Sequence, residues 1–323
     1  MNDKIICDSV ILTQKLKGLA ESKKPLDEAN AFKNAFRRIE KFASSATAQR
    51  AYAISSITAA AGFVISAVVL KEPWLAGLYG AYSTGTVYSM QTIQSFATYA
   101  KERRKPACER KNVTEGISGL SLAVDLGATL ALEYYGLGIG AWPIMIAQGL
   151  CLLQLIPLST LKATEAIRRR DELQEDPSVK ASKSKNVLNK IDRFLSHPLV
   201  MSLPIGIGAG AIVASAIFKD PSIAGWLGSV WGLPFIYLPQ LFTTTGQYIS
   251  GKTEKIRQLS LGALAQDTAA LATWAVFGAM EGYTPYLIGY SLAVLLSAPP
   301  LVMVLAEDIK AMLRDKKKQC AQT

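Results

Sequence analysis

Residues 260–280, SLGALAQDTAALATWAVFGAM, and residues 285–306, PYLIGYSLAVLLSAPPLVMVLA, decide how the chain reads. Each is close to the 20 or so apolar residues that a helix needs to cross a hydrocarbon core. The first carries one charge, Asp267, and the second carries none. Neither shows the two-residue alternation of a barrel strand, so helices are expected. Six similar blocks stand near 51–70, 74–100, 115–135, 141–161, 198–218 and 222–248. The expected fold is an all-α integral membrane protein with eight transmembrane helices.

The net charge of +10 would point to nucleic acid in a soluble protein, but here its placement matters more than its size. All 35 Lys and Arg residues except Lys71 and Lys219 lie in the segments 1–50, 101–113, 162–197, 252–257 and 310–323. Under the positive-inside rule, both termini and all five segments are expected to be cytoplasmic. Clusters such as Arg168-Arg169-Arg170 and Lys316-Lys317-Lys318 then orient the protein and touch anionic lipid. No nucleic-acid partner is expected. Cys7, Cys108, Cys151 and Cys320 show no CxxC spacing, so no disulfide framework is implied. No cleaved leader is expected at the polar N-terminus.

The two halves match. Ile39-Glu40-Lys41-Phe42 pairs with Ile191-Asp192-Arg193-Phe194, and Lys71-Glu72-Pro73 with Lys219-Asp220-Pro221. Tyr88-Ser89-Met90-Gln91 pairs with Tyr237-Leu238-Pro239-Gln240, and Asp125, Pro143 and Pro157 pair with Asp267, Pro285 and Pro299. Each half holds four crossings, an even number, so the halves are expected to insert as parallel repeats, each a lone helix plus a three-helix bundle. The expected organisation is a cytoplasmic segment 1–50 with an amphipathic helix at 27–48, a first repeat 51–161, a basic linker 162–197 with a second amphipathic helix, a second repeat 198–306 and a basic tail 307–323. Phe32, Ala35, Phe36, Ile39 and Phe42 give the first amphipathic helix its apolar face.

Asp125 and Asp267 lie about ten residues into their blocks, roughly 15 Å deep at a helical rise. A carboxylate at mid-membrane costs on the order of 2.5–3.5 kcal/mol even on lenient scales, so a matched pair is read as functional. Both are expected to bind and release a proton. Trp274, Gln148, Tyr290, Gln91 and Gln240 are the candidates for a central pocket, where an aromatic face and amides hold a polar solute. Pro234 and Pro239 are expected to break the sixth helix and act as a hinge, whereas the first half has Gly85 and Met90 there and a stiffer helix. The lone histidine, His197, is a helix-terminus residue. No metal site, cofactor or enzymatic activity is expected: the chain has no clustered Cys or His, no phosphate-binding loop and no nucleophile elbow in a fitting context.

Leu238-Pro239-Gln240-Leu241 and the spacing of Trp274, Gly278, Pro285 and Tyr290 resemble the PQ-loop family of membrane transporters, which includes SWEET and SemiSWEET sugar carriers and cystinosin-like carriers. Thr114-Glu115-Gly116-Ile117-Ser118 followed by Asp125 resembles the cystinosin-like segment that ends in a proton-linked aspartate, and Ser260-Leu261-Gly262 followed by Asp267 repeats it. The resemblance covers about residues 74–306. It implies a secondary transporter of a small polar organic solute, proton-coupled, with an amino acid favoured. Two other readings stand beside it: a proton-independent sugar facilitator, and a membrane receptor or scaffold without transport. A bacterial plasma membrane is the expected location, with an endo-lysosomal membrane as the alternative.

Overall fold

The computed structural model describes residues 45–86, 88–103, 119–175, 198–251, 256 and 259–320. The amphipathic segment at 27–44, the linker beyond 175 and His197 lie outside the described residues. The chain divides into two compact units, Met1–Tyr52 and Ala53–Thr323. Of the first, residues 45–52 are described, and they form the opening turns of a helix in which the Ser45 Oγ accepts from the Ala48 N–H at 3.3 Å. The rest concerns the second unit.

All regular structure among the described residues is helical: α1 Ala46–Leu70, α2 Trp74–Thr86, α3 Ser89–Glu102, α4 Gly119–Ile139, α5 Trp142–Glu175, α6 Pro198–Phe218, α7 Ser222–Trp226, a π-helical turn Leu227–Gly232, α8 Leu233–Ile249, α9 Leu261–Glu281 and α10 Thr284–Cys320. Four stretches are long and apolar enough to cross a membrane: α1, α4, residues 142–165 of α5 and residues 284–314 of α10. Residues 202–218 form a shorter apolar helix. These lengths and compositions suit an integral membrane protein. Both α5 and α10 run on past the expected ends of their blocks, at 161 and 306, as extensions bearing basic residues.

The turns after α1 and α6 close alike. Glu72 N–H reaches back to the Ala67 carbonyl at 2.9 Å and Asp220 N–H to the Ser215 carbonyl at 3.0 Å, the six-to-one bond of a Schellman motif. That motif needs a left-handed residue, and Lys71 (φ 55°) and Lys219 (φ 53°) supply it without being glycine. Beyond the turn, Asp220 Oδ1 accepts from the Ser222 N–H at 2.9 Å and the Ser222 hydroxyl at 2.5 Å, which holds its carboxyl below the usual carboxylate range.

Glycines set the helix contacts. A Cβ on Gly80 would lie 2.6 Å from the Trp274 indole, and one on Gly228 would lie 2.8 Å from Leu132. Trp274 and Leu132 occupy matching places in α9 and α4, so the same crossing recurs with a different knob in each. The backbones of α4 and α6 approach most closely, at Gly127 and Gly208. A Cβ on either would fall within 2.3 Å of the opposite backbone. On α1 the matching seam is Ala60, which clusters with Phe63, Tyr79 and Ala269. Side chains with a Cβ therefore fill the contact that glycines make on the other side.

The π-helical turn has a sequence cause. Gly80 and Gly228 are 148 residues apart, whereas Tyr88 and Tyr237 are 149 apart, so one residue has been added between them in the second half. An added residue would swing the rest of an α-helix by about 100°, a single step at 3.6 residues per turn. A π turn absorbs it locally and returns the following residues to register. The expected break at the prolines is thereby relocated: the turn precedes Pro234, which sits in the first turn of α8, and α8 passes through Pro239 without ending. In the first half, α2 ends at Thr86 and α3 begins at Ser89.

Candidate functional site

A cavity of about 200 Å³ lies among α2, α4, α5, α8, α9 and α10, so both halves of the sequence line it. Asp125 and Asp267 both reach it, as do Gln148, Trp274, Tyr290 and Gln240. The Pro234 and Pro239 side chains do not line it, although their neighbours Leu233, Ile236, Tyr237 and Gln240 do. Gln91 falls on α3, and its side chain is outside the described residues.

Each aspartate has a tyrosine. The Tyr88 hydroxyl donates to Asp125 Oδ2, and the Tyr237 hydroxyl donates to Asp267 Oδ1 at 3.0 Å. A hydroxyl donated to an ionised carboxylate is roughly twice as strong as a neutral hydrogen bond, which matters where water is scarce. The tyrosines open the two quoted motifs, Tyr88-Ser89-Met90-Gln91 and Tyr237-Leu238-Pro239-Gln240, but sequence reasoning weighed only the glutamines and the proline. The signal was present: a tyrosine repeated at matched positions, with a carboxylate repeated further on.

The cavity end nearer Trp274 is built of aromatic rings. Tyr286 and Tyr290 stack with centroids 4.7 Å apart, and Trp274 meets Tyr286 edge-on at 5.7 Å. Trp274 is fully buried, and its indole N–H donates to the Thr84 hydroxyl at 3.0 Å, tying α9 to α2. Gln148 donates from its amide to the Tyr290 hydroxyl at 3.3 Å. Gln266 donates to the Thr86 hydroxyl at 3.0 Å, and the Ser83 hydroxyl donates to the Gln266 carbonyl at 3.4 Å. The Ser229 hydroxyl, in the π turn, donates to the Pro285 carbonyl at 2.7 Å.

Two more carboxylates repeat outside the cavity. Glu165 and Glu307 are each only 2% exposed and stand 142 residues apart, the same step that separates Asp125 from Asp267. Glu307 pairs with Lys310 at 2.7 Å, and the Lys310 ammonium lies 5.4 Å above the Tyr248 ring, joining α10 to the end of α8. That constant step could have found them in the sequence. Among the described residues no cluster of three or more His, Cys, Asp or Glu side chains has the arrangement of a metal site.

Chemically, the cavity offers two carboxylates, hydroxyl and amide groups, and aromatic faces. Its volume falls below the 300–1,000 Å³ of drug-sized pockets, so it fits a solute of few heavy atoms. Comparison of the chain with protein-family models, with curated proteins and with solved structures finds no match.

Proposed function

We propose that this protein is a secondary transporter that carries a small polar organic solute by alternating access between two parallel three-helix bundles, each accompanied by a lone helix, eight crossings in all, with proton coupling at Asp125 and Asp267. The observation that carries this reading is the matched pair of tyrosine-held aspartates facing one cavity from opposite halves of the chain. A purely structural carboxylate would be expected to be fully enclosed by donors. These two instead line a cavity large enough for a small solute.

Alternation follows from the helix contacts. The Gly127–Gly208 approach makes α4 and α6 one rigid pair, and the end of α2 at Thr86 and the π turn at 227–232 are where the two halves can bend. In this reading the basic segments, both termini included, face the cytoplasm. Gln148, Trp274, Tyr290 and Gln240 bind the solute, and Gln91 belongs with them by its repeat position. The resemblance to PQ-loop carriers agrees with this assignment of the Pro239 neighbourhood.

The test is uptake of labelled amines, amino acids and sugars into proteoliposomes. Ile236→Trp, which narrows the cavity from α8, should abolish uptake while the protein still reconstitutes. Uptake unchanged by that plug would remove the cavity from the pathway.

A further inference from the structure

Resting on the transporter reading above, we propose that the solute is a small organic amine, bound as its ammonium ion and carrying no carboxylate of its own. Among the described residues the cavity lining contains Asp125 and Asp267 and no Lys, Arg or His. A buried carboxylate without a counter-charge is costly, so an occupant that brings a positive charge is favoured over a neutral one. An ammonium group supplies up to three donors to two carboxylates that are each held by one tyrosine, with Thr129 a further donor to Asp125. Trp274 and Tyr290 also line the cavity, and an aromatic ring attracts a cation that meets its face.

The donors point the same way. A solute carboxylate would need hydrogen-bond donors, and several of those in the cavity already have partners. The hydroxyls of Tyr88 and Tyr237 go to the aspartates, the Trp274 indole N–H to Thr84 and the Gln148 amide to Tyr290. Such a carboxylate would also meet two like charges within one small volume. Sugars can donate to the aspartates but leave their charge unbalanced. Among the alternatives open from sequence, the amine end of an amino acid therefore fits, and its acid end does not.

The experiment is a melting series on purified full-length protein in nanodiscs. Methylamine, ethanolamine, putrescine and choline form the amine set, and ethylene glycol, acetate, glycine and glucose are the comparators at equal concentration. At least one amine should raise the melting temperature by roughly 5 °C or more at about 100-fold excess over its dissociation constant. Ethylene glycol and acetate should leave it unchanged, and Asp125→Asn and Asp267→Asn should each remove the amine shift. If those variants fail to fold, ethanolamine against ethylene glycol on the wild-type protein decides the matter. Equal shifts for that pair, a larger shift with glycine or glucose, or no shift with any amine would overturn the proposal. Amine stabilisation without flux in proteoliposomes would keep this inference and overturn transport, whereas sugar flux without amine stabilisation would do the reverse.

Discussion

Gln148 and Tyr290 stand 142 residues apart in the sequence and 3.3 Å apart in space, the amide of one donating to the hydroxyl of the other. They are matching positions in the two halves, so this bond ties the halves together at the point where their matching faces meet. A buried bond between neutral partners contributes about 0.5–1.5 kcal/mol. A double-mutant cycle with Gln148→Leu and Tyr290→Phe should therefore give a coupling energy in that range, read from urea or thermal melts. Additive losses would mean that the bond carries no stability across the interface.

The close approach of α4 and α6 predicts an asymmetric response to added methyl groups. Gly127→Ala and Gly208→Ala place a Cβ against the opposing backbone, which cannot retreat as a flexible side chain can. Each should cost roughly 1–3 kcal/mol, the usual penalty for overpacking, measured by thermal denaturation. The matching change on α1, Ala60→Gly, removes one methyl from a filled contact and should cost about 1–2 kcal/mol, the helix-propensity loss plus one buried methyl.

Much of this site was legible before the structure, and for a physical reason. Polar groups are so costly in an apolar helix that Asp125, Asp267, Gln148 and Gln240 stood out against their surroundings, and all four line the cavity. Tyr88 and Tyr237 escaped notice because a tyrosine in an apolar helix is unremarkable until its hydroxyl has a partner. The helix break was misplaced because proline is a visible breaker, whereas an inserted residue shows only as a step from 148 to 149 in the repeat offset. Backbone contact at Gly127 and Gly208 was not legible at all, since it depends on which helices cross and not on either sequence alone.

That inserted residue makes the next expectation. Deleting Val230 from the π turn should restore plain α-helix between α7 and α8 and leave Tyr237 facing Asp267. The deletion variant should fold and melt cooperatively. Deleting Ala272 from the regular helix α9 rotates everything beyond it by about 100° and should abolish cooperative melting. Equal disruption by the two deletions would contradict the insertion account.

Lys71 and Lys219 hold left-handed conformations that cost a residue with a Cβ roughly 1–2 kcal/mol. Lys71→Gly and Lys219→Gly should therefore stabilise the protein, raising the melting temperature by about 2–4 °C per kcal/mol gained. No loss of side-chain packing offsets this, because both lysines are exposed. A fall in melting temperature for both would show that the Schellman turns contribute nothing through their backbone.

The central claim is that Asp125 and Asp267 couple solute movement to protons across a shared cavity. It is tested most directly by proton flux driven by a solute gradient in proteoliposomes, read with an internal pH dye. The account predicts that the wild-type protein moves protons with solute, and that Asp125→Asn and Asp267→Asn each cut that flux at least tenfold while the reconstituted amount stays equal. Wild-type proton flux in both variants would contradict it.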